Sequence, residues 1–298
     1  MPKSKKIQLD QLDVWIIWLL TRNYFTLDHI FRLLSTFAGP TRVTTPIALY
    51  SRVSRLKKHG FVLYDQILER GAGANRNYLL PTKKAVNLFP ELRNEIPGKG
   101  MLRIRKQPFQ SHSLAISDIC VEVMLSTFQA KEKIQELGYI RENYFKITVP
   151  FEEAKQKRLV KEPDSTWFMQ YNGQPHLFFG EVDLSTETVL PFNKRKRNTW
   201  ENAIIIYSEF RKLVKKRRLD PDNPINSFGH FKGFRVLVFC KSYRRMRNIM
   251  DLAYRMGKEK LFWFVCIDGL KDKNMYFDPI WSLPIPRSGQ DKKRALFE

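Results

Sequence analysis

Residues 163–183 read PDSTWFMQYNGQPHLFFGEVD, and the pairing of the acids at its two ends decides the fold of the larger part of the chain. Ser165 to Tyr171 and His176 to Leu184 predict two strands joined as a hairpin. Asp164, just before the first strand, then falls beside Glu181, near the end of the second. Side chains alternate along a strand, so Glu181 and Asp183 share a face. Three carboxylates at one sheet edge repel one another unless a cation sits between them. A hard divalent ion with oxygen ligands, Mg2+ or Mn2+, suits such a set, and it can orient a water and stabilise charge on a phosphate under attack. Plainer roles compete: Asp164 suits a turn, and Asp183 suits a structural ion pair with Lys194 or Arg195.

Working outward, the elements around the hairpin predict a mixed sheet with helices on its faces. A helix over 111–129 carries Leu114, Val121, Leu125 and Phe128 on one side, with Asp118 on the same stripe. A strand over 144–150 precedes the hairpin. A helix over 189–218 follows it, opening on Lys194, Arg195, Lys196 and Arg197. Then come a strand over 234–240, a basic helix over 243–256 and a strand over 261–268. One cation of the 194–197 run can neutralise a transition state, and the others can hold a nucleic-acid backbone. Asp118 is a further metal-ligand candidate, although a buried, satisfied carboxylate is the commoner outcome.

The N-terminal ninety residues have a different pattern. Helices are predicted over 9–21, after Thr26, and from Thr44-Thr45-Pro46 to His59-Gly60. Strands follow at Phe61 to Tyr64 and Asn77 to Leu80, joined by a Gly-rich basic turn that includes Arg70 and Arg76. Three helices and a hairpin make a winged helix, whose third helix enters the major groove while the wing touches the backbone. Thr45, Arg52, Arg55, Lys58, Arg70 and Arg76 are the DNA-contact candidates. The competing reading is a solvated basic helix face on a protein-docking module.

Composition agrees with a nucleic-acid partner. The chain has 298 residues and a formal net charge of +22, a self-repulsion that a polyanion relieves. At 43% hydrophobic residues it can bury a core. No apolar run approaches the roughly eighteen residues of a membrane span, and no basic amphipathic anchor or lipidation signal stands out. Cys120, Cys240 and Cys266 are far apart, which predicts reduced thiols in a cytosolic protein and no structural zinc. The five histidines form no His-hydrophobe-His pair, which argues against a three-His relaxase site, and no phosphate-binding GxxxxGK[ST] loop occurs.

Pro163-Asp164, then Glu181-Val182-Asp183, then a lysine on the next helix resembles the PD-(D/E)xK nuclease fold. Over most of its length the chain resembles the bacterial replication-relaxation proteins, which include MobC-type plasmid relaxases. The matching text is His112-Ser113-Leu114 with Asp118, Pro163-Asp164, Phe179-Gly180-Glu181-Val182-Asp183 and Thr186-Glu187. The resemblance implies a winged helix (1–90), a basic linker (91–110) and a nuclease-like α/β (α+β) domain (111–298). It further implies a bacterial, cytoplasmic DNA-processing protein of a mobile element, acting on double-stranded DNA in plasmid replication, relaxation or conjugative mobilisation, with replication, mobilisation or transposition proteins as further partners. The signature has Lys two residues after the Glu, where this chain has Asp183, so Lys196 on the next helix takes that role. Asp164, Glu181, Asp183 and Lys196 are then the catalytic set, with Asp118 added to the metal ligands and Lys194 and Arg195 holding DNA. A non-catalytic initiator or regulator with a degenerate nuclease fold is the alternative, and Asp183 favours it.

Overall fold

A computed structural model describes residues 7–37, 43, 45–67, 76–89, 109–141, 145–150, 158–185, 189, 199–219, 223, 225–226, 229 and 231–297. The chain divides into two compact units, Met1–Leu125 and Ser126–Glu298, and both helices and strands contribute to each, an α+β protein.

In the first unit, α1 (Gln11–Arg22) starts at a capping box: the Asp10 carboxylate accepts from the Asp13 amide, and the Asp13 carboxylate from the Asp10 amide. A short β1 (Phe25–Thr26) leads into α2 (Leu27–Phe37), where the Thr26 hydroxyl accepts from the His29 amide at 3.2 Å. The third helix, α3 (Pro46–Lys58), is capped by Thr45 and has proline in its first turn. It stops at His59, followed by Gly60 at φ 73°, a conformation that glycine adopts without penalty. Then β2 (Val62–Ile67) pairs antiparallel with β3 (Arg76–Pro81), and β1 adds to the far side of β3. This is the connectivity of a winged helix. Ile16, Leu20, Ile30, Leu33, Leu49, Val53, Leu56 and Leu79 fill its core. A short helix, α4 (Lys83–Val86), closes the hairpin.

The sequence places the next helix, α5 (Phe109–Gln129), at the start of a second domain, after a linker at 91–110. Residues 90–108 lie outside the described residues, and the compact first unit runs on to Leu125. A hydrogen bond from His29 to Asp118 at 2.6 Å and an ion pair from Arg32 to Glu122 at 2.7 Å tie α5 to α2.

The second unit is built on β4 (Ile134–Arg141), β7 (Ser165–Tyr171), β8 (Gln174–Asp183), β9 (Phe234–Cys240), β10 (Phe262–Cys266), β11 (Trp281–Ser282) and β12 (Lys293–Arg294). In the sheet β4, β7 and β8 are antiparallel neighbours, β8, β9 and β10 run parallel, and β11 and β12 complete the far edge. Parallel neighbours need crossovers, supplied by α6 (Trp200–Lys215) and α7 (Tyr243–Arg255). Phe179, Val236, Val238, Phe262 and Phe264 pack against Ile204, Tyr207, Phe210, Ile249 and Met250 of these helices.

Three expectations change. The strand expected over 144–150 is β5 (Ile147–Pro150), which pairs with β6 (Arg158–Lys161) in a separate two-stranded sheet. The edge of the main sheet is taken instead by β4, whose pairing slips at a bulge between Glu136 and Gly138. The helix expected from 189 begins at Trp200, because the Thr199 hydroxyl caps the Asn202 amide. Among the described residues, no helix is long and apolar enough to cross a membrane.

Candidate functional site

The turn between β7 and β8 is Asn172-Gly173, with φ of 48° and 72°, the left-handed pair that a two-residue hairpin requires. It sets Tyr171 opposite Gln174 and, at the other end, Ser165 opposite Gly180. The next step along the register brings Asp164 to Glu181. The Asp164 Oδ2 accepts a hydrogen bond from the Val182 amide at 2.7 Å, which orients its carboxylate along the end of β8.

Gly180 is demanded by this packing. A Cβ there would stand 2.3 Å from the Ser165 Oγ and 2.4 Å from the Trp167 ring, inside any real contact distance. Gly180→Ala is expected to destabilise the second unit by about 1–3 kcal/mol, the usual cost of overpacking, read from the urea unfolding midpoint.

Glu181 is 3% exposed. Its Oε2 accepts from the Lys161 Nζ at 2.7 Å, and its Oε1 accepts a short hydrogen bond from the Tyr207 hydroxyl. Burial pushes the carboxyl up to about 8; the Asp164 charge adds to the rise, while Lys161 and Tyr207 oppose it. The site therefore combines two carboxylates, an ammonium and a phenol. Lys161 is not among the residues that the sequence singles out. It stands three positions before Asp164, and the β5–β6 hairpin brings it to the site.

Asp183 shares a face with Glu181 as expected, but it is occupied otherwise. Arg245 grips it with two hydrogen bonds, Nε at 2.9 Å and Nη2 at 2.8 Å. The Trp200 indole N–H donates at 2.5 Å and the Ser185 amide at 2.8 Å. Both oxygens are engaged, and the side chain is fully buried. Asp183 thus fastens the N-terminal ends of α6 and α7 to the end of β8. Among the described residues its ion-pair partner is Arg245. Lys194, Arg195 and Lys196 lie outside the described residues.

Asp118 is likewise committed. The His29 Nδ1 accepts from the Thr26 amide at 3.3 Å, so Nε2 carries the hydrogen and donates it to Asp118 at 2.6 Å. Among the described residues, no group of three or more His, Cys, Asp or Glu side chains could hold a metal ion. The three cysteines are free thiols; Cys120 and Cys240 are buried and Cys266 is half-buried.

In the winged helix, Thr45 is the cap of α3. Arg52 pairs with Asp10 at 2.5 Å and with Asp13 at 2.9 Å, and Arg55 makes a short contact to Asp13. Burial would raise the Asp10 carboxyl, but the Arg52 guanidinium and the Asp13 amide hold it below its usual value. Both arginines therefore clamp α3 to α1, and Arg55 stays partly open to solvent. On α3, Ile47 is 78% exposed and Tyr50 58% exposed, and Ala48, Ser51, Ser54, Arg55, Lys57 and Lys58 are exposed beside them. Arg70 lies outside the described residues, and Arg76 opens β3.

No family model matches the chain, and no curated protein matches it. Among solved structures, it is similar to Bacillus subtilis PadR in complex with operator DNA, at 16% identity over 43% of this chain and 70% of that one, with a TM-score of 0.26.

Proposed function

We propose that this chain binds double-stranded DNA through its winged helix and cleaves a phosphodiester at the Asp164–Glu181–Lys161 cluster, in the manner the replication-relaxation resemblance implies. The work would belong to plasmid replication, relaxation or mobilisation. The convergence of Lys161 on Glu181, at the register position facing Asp164, carries this reading. It supplies the lysine that Asp183 displaces from the nuclease signature.

The donor set fits a divalent cation. Mg2+ is commonly held by one or two carboxylates, with water and substrate phosphate completing its shell. Asp164 and Glu181 would hold it, at a place where burial and the Asp164 charge raise the Glu181 carboxyl to about 8. Such an ion, when bound, supplies Lewis acidity toward phosphate and water. The chain's own residues do the rest. The Val182 amide fixes the Asp164 carboxylate, Tyr207 fixes Glu181, and Lys161 places a positive charge within hydrogen-bond reach of Glu181. An ammonium held there favours the extra negative charge of the transition state over that of the ground state. On α3, the exposed side chains face outward from a helix with no acidic residue, where Ile47 and Tyr50 suit apolar contact with base edges and Lys58 suits phosphate.

Supercoiled plasmid incubated with Mg2+ or Mn2+ tests this, with EDTA as control. Asp164→Asn and Glu181→Gln are expected to abolish nicking while DNA binding and the thermal melt persist. Lys161→Met is expected to slow it by roughly 10²–10³-fold, the usual effect of losing one charge-stabilising donor. The second reading, a non-catalytic DNA-binding initiator or regulator, draws on the closure of Asp183 by Arg245. Tight binding with no metal-dependent nicking by the wild-type chain would select it.

A further inference from the structure

At the opposite end of the main sheet, three open clefts surround the C-terminal end of α6 and the starts of β8, β9 and β10. Their volumes are about 360, 430 and 500 Å³. They are joined by shared walls: Arg211 lines the first and second, Lys215 the second and third, and Lys232 the first and third. Lys212, Arg217, Arg235, Lys258 and Lys260 add five more cations, of which Lys212 pairs with Glu209 at 2.6 Å, and among the described residues Glu259 is the one acid on these walls. Glu181 lies seven positions along β8 from Gln174 of the first cleft, roughly 23 Å at strand rise, so the two places are distinct.

Several observations separate this surface from an ordinary solvated basic face. The Nε of Arg211 is buried and has no hydrogen-bond partner, a cost that a bound acceptor would remove. Arg235 is held ready by stacking over the Trp263 ring at 4.7 Å and by a bond to the Leu296 carbonyl at 3.3 Å. Among the described residues, neither arginine is paired with a carboxylate, and burial lowers the pKa of both, Arg235 further through its neighbour Arg211. The C-terminal dipole of α6 asks for only about half a charge, so it does not account for the eight cations on these walls. A mononucleotide would call for one enclosed pocket. A chain of clefts, open and basic throughout, matches a polymer that carries an anion at each repeat.

We propose that this strip, centred on Arg211, Lys215 and Lys232, is a second nucleic-acid contact that binds phosphodiester groups of the DNA backbone independently of the winged helix. It rests on the DNA-binding reading above for the identity of the polyanion.

The test is affinity of the full chain for a labelled duplex as a function of salt. The triple variant Lys215→Gln, Lys232→Gln, Lys260→Gln alters exposed side chains only. Its plot of log K against log salt is expected to be shallower by roughly 2.7, at about 0.9 for each phosphate that a lysine no longer neutralises, with affinity at least tenfold weaker at low salt. Arg211→Gln is expected to weaken binding while leaving the melting temperature unchanged or higher, because it removes the unpartnered Nε. The control variant Lys57→Gln, Lys58→Gln changes the winged helix alone. Unaltered binding and slope in the triple variant, with weaker binding in the control, would overturn this proposal and leave the DNA-binding reading intact. Failure of the wild-type chain to bind duplex at any salt would overturn both. If inorganic phosphate or thymidine monophosphate raises the melting temperature of the wild type but not of the triple variant, while duplex affinity is equal in the two, the strip is a small-anion site and the proposal falls.

Discussion

Arg245→Ala is expected to cost the second unit about 3–5 kcal/mol, the penalty for stranding one member of a buried ion pair. The Asp183 side chain is fully buried and that of Arg245 nearly so. Without the guanidinium, two carboxylate oxygens would keep only the Trp200 indole and the Ser185 amide as donors. The charge would have to be neutralised by protonation or reached by water through the packing of α6 and α7. Asp183→Asn should cost less, about 1–3 kcal/mol, since an amide oxygen still accepts from Trp200 or Arg245. The check is the urea midpoint at constant slope, so that a change in stability is not confused with a change in cooperativity. A loss below about 1 kcal/mol for Arg245→Ala would mean that water already shares the site, as at an exposed ion pair.

The same residues show which parts of the fold can be read from the chain. Local signals identify the winged helix: Asp10, Thr26 and Thr45 are caps, Pro46 stands in a first turn, and Gly60 takes a left-handed stop. The facing of Asp164 and Glu181 is legible for a related reason, because a two-residue Asn-Gly turn leaves the hairpin one register. Side-chain partners remote in sequence are another matter. That Arg52 and Arg55 also clamp α1 is invisible until α1 is known to lay Asp10 and Asp13 beside them, about forty residues upstream. The grip of Arg245 on Asp183 comes from 62 residues later in the chain. Lys161 belongs to a strand pair outside the main sheet, so no periodicity could place it at Glu181. The edge strand β4 escapes a reading by pattern because Gly138 and the bulge beside it break the alternation that marks a strand.

Glu181 should make the stability of the metal-free protein fall as pH rises through the range from its unfolded value of 4.5 to its folded value of about 8. In that window the folded chain keeps a proton that the unfolded chain releases, so the slope of stability against pH is negative. Its limit is about 1.4 kcal/mol for each pH unit. Below 4.5 both states are protonated and nothing is lost; above about 8 both are ionised and the loss is complete. Glu181→Gln cannot titrate, and it keeps an oxygen for Tyr207 or Lys161. Urea midpoints for the two proteins in EDTA should therefore diverge between about pH 5 and about pH 8, in favour of the variant as pH rises, by several kcal/mol at that limit. Taking the difference between the proteins cancels every other titrating group. A difference that moves the other way would mean that the Lys161 ammonium outweighs burial and that Glu181 is already ionised in the folded protein. A negative slope instead ties the protonation state to the proposed chemistry. A carboxyl protonated up to about 8 must give up its proton before it can serve as an oxygen ligand, so cation binding near neutral pH would release close to one proton, and cleavage would rise with pH over the same interval in which the metal-free protein loses stability.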